Sequence, residues 1–157
     1  MAIITSLENN VMLGLDLINA KVNTNLTVPD AECWIPFEFK LIVEDQIFIY
    51  NKDDNACFTL YEIRNFIDKS VSQIALKRQG SIERYEFNCF ECYYKMVIYD
   101  TLEIDQIYID IWINMGEYTK GVVYGYDKGF RFVVDIGVFD QFINELRNQL
   151  DNIMASN

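Results

Sequence analysis

Cys89 and Cys92 stand at CxxC spacing in NCFECYYKMVIYD, residues 88–100, and Cys33 and Cys57 bring the cysteines to the four that a structural zinc site takes. The pattern around the motif points away from a metal. Phe87, Cys89, Tyr93, Val97 and Tyr99 alternate with Phe90, Cys92, Tyr94, Met96 and Ile98, as along a strand buried on both faces. Residues three apart on such a strand face opposite ways, so one ion reaches both thiolates only if the backbone folds into a knuckle. No Gly or Pro stands between Glu86 and Asp100 to help it turn. The expectation is four buried thiols acting as small hydrophobes, with no metal and no cofactor.

The chain contains no histidine, which removes Ser-His-Asp and Cys-His nucleophilic sites, imidazole ligands and histidine acid–base pairs. GEYTKGVVYGYDKG, residues 116–129, scatters its glycines without the spacing or the strand–helix setting of a phosphate loop or dinucleotide fingerprint. Carboxylate chemistry remains. Asp100, Glu103, Asp105 and Asp110 cluster in YDTLEIDQIYID, and a pair of carboxylates is what a glycosidase uses. Nothing in the pattern sets their separation or supplies an apolar wall to raise one pKa. A solvated loop leading into a strand with outward acids is expected, and no catalysis.

Acids outnumber bases 24 to 13, for a net charge of −11; such a surface repels nucleic-acid phosphates and anionic lipid and suits a basic partner. The first stretch has no Lys or Arg before Lys21, and Glu8 and Asp16 interrupt its apolar residues, so it does not read as a signal peptide. No apolar run approaches the roughly 20 residues of a membrane span. A cytoplasmic protein with reduced cysteines is expected, bound to neither nucleic acid nor membrane. In that setting the glycosylation acceptor Asn25-Leu26-Thr27 carries no meaning. A chain of 157 residues with 51% hydrophobic content fits a single domain, 1–157, folding without disulfides or metal.

The elements that must position any site follow from periodicity. Val11, Leu13, Leu15 and Leu17 alternate as in a strand, and NTNLTVPDAE reads as a loop. Ile35, Phe37, Phe39, Leu41 and Val43 form a second strand, turned by VEDQ into IFIYN as a hairpin. Pro36 cannot donate to a ladder, so that strand starts there or lies along an edge. Thr59 and Glu62 form a capping box, and Leu60, Ile63, Phe66, Ile67, Val71 and Ile74 then fall on one helical stripe, which Gly80 can end. Strands are expected again at 84–99, 106–114, 118–126 and 130–136, with GYDKGF turning the last pair and Lys120, Asp127 and Lys128 blunting edges. DIGVFDQFINELRNQLDNIM closes the chain as an amphipathic helix, and no internal repeat is visible. Strands, helix, meander and helix in this order predict an α+β domain: a curved antiparallel sheet, or a partly open barrel, with two amphipathic helices packed on it.

Tyr108, Asp110, Trp112 and Asn114 share one strand face opposite Ile107, Ile109, Ile111 and Ile113. Packing under a helix is expected for Trp112, whereas Tyr118, Tyr124 and Tyr126 suit core and interface equally.

CWIPFEFKLIV, FTLYEIRNFI, FNCFECYYKM and RFVVDIGVFDQFINELRNQL follow one another over residues 31–153 in an order that resembles the immunity proteins of bacterial polymorphic toxin systems, the WapI-like group. The likeness lies in the layout. It departs at Phe90-Glu91-Cys92, where that group often reads Phe-x-Glu-Pro. The resemblance implies a protein that binds a cognate toxin domain and occludes it without chemistry; it transfers no particular contact residue. Joined to the charge, it implies a toxin with a basic surface, met by acids and tyrosines in or beside the turns of the late meander: Glu103, Asp105, Glu117, Tyr118, Tyr124 and Asp127. A small-ligand module with an aromatic-lined pocket is the alternative.

Overall fold

The computed structural model of the chain describes residues 1–19 and 29–156. The Asn25-Leu26-Thr27 acceptor and most of the loop expected at 23–32 lie outside the described residues. The fold is α+β. Strands β1 (Ala2–Thr5), β2 (Val11–Leu17), β3 (Trp34–Val43), β4 (Gln46–Tyr50) and β5 (Cys57–Thr59) lead into α1 (Leu60–Lys77). Strands β6 (Tyr85–Asn88), β7 (Tyr94–Asp100), β8 (Gln106–Asn114) and β9 (Asp127–Asp135) lead into α3 (Ile136–Ala155), with the short α2 (Met115–Tyr118) between β8 and β9. The strands form two antiparallel sheets where one was expected. One runs β1-β2-β3-β4 with β5 beside the start of β3; the other runs β6-β7-β8-β9, and neither closes into a barrel.

Alternation sets which face of each sheet is apolar. Leu13 pairs with Leu41 and Leu41 with Phe48, while Leu15 pairs with Phe39 and Phe39 with Tyr50, so whole cross-strand rows turn inward together. In β8, Ile107, Ile109, Ile111 and Ile113 are fully buried. Aromatic rings join the two sheets: Phe39 stacks on Tyr94 at 4.6 Å, and Phe58 meets Phe87 edge-on at 5.9 Å. Each such pair contributes about 0.5–1.5 kcal/mol beyond its buried area. The helices cross between halves. α3 packs on β1, β2 and α1, while Phe66 of α1 lies on Phe87 of β6 at 4.7 Å.

Pro36 is the third residue of β3 and lies one position past the last β2–β3 pair, Leu17 with Phe37. Its missing N–H therefore takes no bond from that ladder, and its carbonyl accepts from Ile18 N at 2.8 Å. The strand starts two residues earlier, at Trp34, where it pairs with β5, and it lies inside its sheet and not at the edge, so neither expectation for Pro36 holds.

Several expected elements are corrected. The run 84–99 is not one strand: it breaks between β6 and β7, which pair as a hairpin. Cys92 adopts φ +57 there, so the turn forms with neither Gly nor Pro, and Cys92 N donates to Cys89 O at 2.8 Å. The thiols are consequently not all buried, since Cys92 is exposed and Cys57 half-buried. The run 118–126 is not a strand either. Asn114 Oδ1 accepts from Gly116 N and Glu117 N and caps α2, and positive φ at Lys120, Gly121 and Gly125 then coils the chain back. GYDKGF is thus no hairpin turn; Asp127 already pairs with Asn114 and Gly129 with Trp112. Lys128 does not blunt the edge, because its Nζ lies inward over the rings of Phe48 and Phe130 at 5.3 and 5.6 Å. Trp112 is not under a helix. It is half-buried on the outer face of the second sheet, with Lys95 Nζ 5.5 Å from its ring centre.

Candidate partner-binding surface

The six residues expected to meet a partner fall at two ends of β8. Glu103 and Asp105 are exposed in the β7–β8 loop, whereas Glu117, Tyr118, Tyr124 and Asp127 follow the strand's other end. The nine residues of β8 separate the groups by about 27 Å at ~3.4 Å per residue. The second group has the richer setting.

At that end the two sheets adjoin through ring contacts, Phe48 lying 5.3 Å from Tyr118 and 5.4 Å from Phe130. Tyr118 Oη donates to Ile47 O at 3.2 Å and ties α2 to β4. A cleft of about 310 Å³ opens beside this junction, bringing Glu117 and Tyr118 together with Asp53, Asp54, Ile49 and Lys120. Its floor is held by tyrosines: Tyr93 Oη donates to Asp54 O at 3.2 Å, and Tyr50 Oη donates to Tyr93 O at 3.1 Å. Burial first, and then neighbouring acids, push the Tyr50 phenol above its ordinary value; burial likewise pushes Tyr93 up to about 12. Both therefore remain hydrogen-bond donors at neutral pH.

Three carboxylates share the cleft with one ammonium, as Lys120 Nζ stands 3.2 Å from Asp54 Oδ1. The balance favours a cationic guest. Ile49 in the cleft lining is exposed, as are Ile47 on the same strand and Val122, Tyr124 and Tyr126 in the segment that follows α2, Tyr124 to 78%. Acids beside exposed large apolar side chains make a surface suited to burial against a partner. Reading the sequence missed Asp53, Asp54, Ile47 and Ile49. Two adjacent acids in NKDDNAC were the available signal, but nothing local showed that the 3-10 turn at Lys52–Asp54 lies against α2.

The carboxylates that could have served catalysis are dispersed. Asp110 is buried on the outer face of the second sheet and accepts two bonds from Arg131, at 2.6 and 2.8 Å. Asp100 accepts from the buried Lys77 Nζ at 2.5 Å, and this bond holds its carboxyl below the ordinary value. Glu103 and Asp105 remain in the solvated loop. Burial pushes the Cys89 thiol up to about 12, so it is protonated at neutral pH. Among the described residues no group of three or more His, Cys, Asp or Glu is placed to hold a metal ion, and no helix is long and apolar enough to cross a membrane.

A sequence model of the immunity protein WapI-like family matches residues 8–154 of the chain. No curated protein matches it. Among solved structures, one described as the plant transcriptional regulator PBF-2 aligns over 93% of this chain and 78% of that chain, at 7% identity and a TM-score of 0.48.

Proposed function

The chain belongs to the immunity protein WapI-like family, and from that premise we propose that it is a bacterial cytoplasmic protein that binds and occludes a cognate toxin domain without catalysis of its own. The observation that supports the proposal is the acidic cleft beside α2, with exposed Ile49 in its lining and exposed Ile47 and Tyr124 on the elements that flank it. A net charge of −11 draws in a basic toxin surface. Asp53, Asp54 and Glu117 then take its cationic side chains, and these apolar side chains exclude water around them. Asp127 stands at the same end. Glu103 and Asp105, at the far end of β8, act on encounter through the field.

The aromatic rings that a ligand pocket would need are stacked on one another instead: Phe37 lies 4.0 Å from Phe58, and both meet Tyr94. This packing favours the toxin reading over a small-ligand module.

The test is co-expression with the toxin domain encoded beside the gene. The parent protein restores growth and elutes with the toxin as one complex, whereas an Asp53→Lys, Glu117→Lys variant with unchanged Tm loses most of that protection. Full protection by the variant at low salt would place the toxin elsewhere on the surface.

A further inference from the structure

We propose that the outer edge of β9 receives an extended segment of the toxin as a fifth strand of the second sheet. The proposal rests on the toxin-binding reading above and adds the mode of engagement.

The hydrogen-bond phase of the sheet identifies the open groups. Asn114 N donates to Tyr93 O at 3.1 Å, so Asn114, Trp112, Asp110 and Tyr108 aim their backbone groups toward β7. The alternate residues Ile113, Ile111, Ile109 and Ile107 therefore bond to their register partners Lys128, Phe130, Phe132 and Val134 in β9. Asp127, Gly129, Arg131 and Val133 are left with N–H and C=O turned away from β8. An independent contact agrees, since Leu7 N donates to Val133 O at 2.9 Å from the outer side. The β1–β2 hairpin thus supplies the first bond of a ladder and stops. Beyond it, no other strand among the described residues pairs with this edge.

The space to continue that ladder is present. A groove of about 510 Å³ runs along residues 129–133, walled on the other side by Leu7, Val11 and Val43. Strand alternation would give an incoming segment two different sides. One would meet Phe130 and the valines; the other would pass Gly129, which leaves the backbone bare because the Trp112 ring occupies the place of a side chain there. The edge has no proline in β9, and of its charged side chains Lys128 is directed inward and Arg131 is drawn onto Asp110 of β8.

Charge selects the occupant. A second copy of the chain would bring another −11 alongside the first. An extended toxin segment with apolar residues at alternate positions and basic residues at its ends fits instead. Glu8 lines the groove, Asp127 starts β9 two residues before it, and the Arg131 guanidinium in the lining is already engaged by Asp110. In such strand addition the backbone bonds hold the segment and the alternate pockets select it.

Amide exchange of the labelled protein, alone and saturated with the toxin domain encoded beside it, tests the proposal without any substitution. In the free protein the Gly129, Arg131 and Val133 amides exchange fast and the Phe130 and Phe132 amides slowly; in the complex the first three slow by roughly tenfold or more. Toxin that binds while these three amides exchange as before overturns the edge proposal and leaves the toxin-binding reading standing. Failure to form any complex removes both. Protection that grows with the concentration of the free protein would assign the edge to a second copy, and also overturns the proposal.

Discussion

Lys77 is the residue furthest from the environment its side chain prefers. It sits fully buried at the end of α1, and its ammonium is satisfied by Asp100 Oδ1 at 2.5 Å and Thr101 O at 3.2 Å. Removing the carboxylate strands a buried charge. Asp100 is a third exposed, so Asp100→Asn should destabilise by about 2 kcal/mol, below the ~3–5 kcal/mol of a fully buried pair. The Asp100 carboxyl is depressed in the folded state, so its contribution is complete above the unfolded value of about 3.9 and is lost as pH falls through the folded one. Urea unfolding should therefore separate the variant from its parent at pH 7 and bring the two together toward pH 2. An equal gap at both pH values would show that the pair does not titrate as a unit. Gly129 is a second residue set by its neighbour: a Cβ there would stand 2.6 Å from the Trp112 ring. Gly129→Ala should cost about 1–3 kcal/mol through overpacking, and much less when Trp112 is also made Leu. Neither constraint is legible in the sequence, because both join residues on different elements.

At the scale of elements, legibility followed length and periodicity. β2, β3, β4, β8, α1 and α3 carry long apolar alternations or stripes, and the structure places them where those patterns lie. β1 is only four residues long, too short for a pattern to stand out. The break between β6 and β7 was hidden for another reason: a left-handed Cys92 makes the turn that a Gly would ordinarily signal. Cys92→Gly should leave stability equal or raise it by up to about 1 kcal/mol, whereas Cys92→Val should lower it by about 1–2 kcal/mol. Thermal unfolding of both decides whether the turn is strained. The same turn is fastened to α1. Glu62 completes the capping box by accepting from Thr59 N at 2.7 Å, and its other oxygen accepts from Phe90 N at 2.5 Å. Thr59→Ala removes only the cap acceptor, about 0.5–2 kcal/mol. Glu62→Ala keeps that acceptor bond but removes the carboxylate that takes Thr59 N and Phe90 N together, and should cost more. If Thr59→Ala proves the worse of the two in urea unfolding, the tether to Phe90 contributes nothing.

At the scale of the whole molecule, charge and shape act at different stages of binding. The acids lie at both ends of β8, yet the cleft, the exposed Ile47, Ile49 and Tyr124 and the start of β9 belong to one end. The sequence could supply the charge and most of the strands. It could not show that Asp53 and Glu117, 64 positions apart in the numbering, line one cleft, because that closeness depends on how the two sheets meet. The difference between the ends has a kinetic consequence. Reversing Glu103 and Asp105 to Lys changes the field without touching the cleft, so toxin association should slow and lose salt sensitivity while dissociation changes little. Tyr124→Ala should do the opposite, leaving association nearly unchanged and raising dissociation by a factor equivalent to about 2 kcal/mol or more, as expected of an aromatic anchor buried in the complex. Surface-based binding kinetics at two salt concentrations separates the outcomes. A faster dissociation for the Glu103, Asp105 reversal, with Tyr124→Ala unchanged, would move the contact to the β7–β8 loop and away from the cleft.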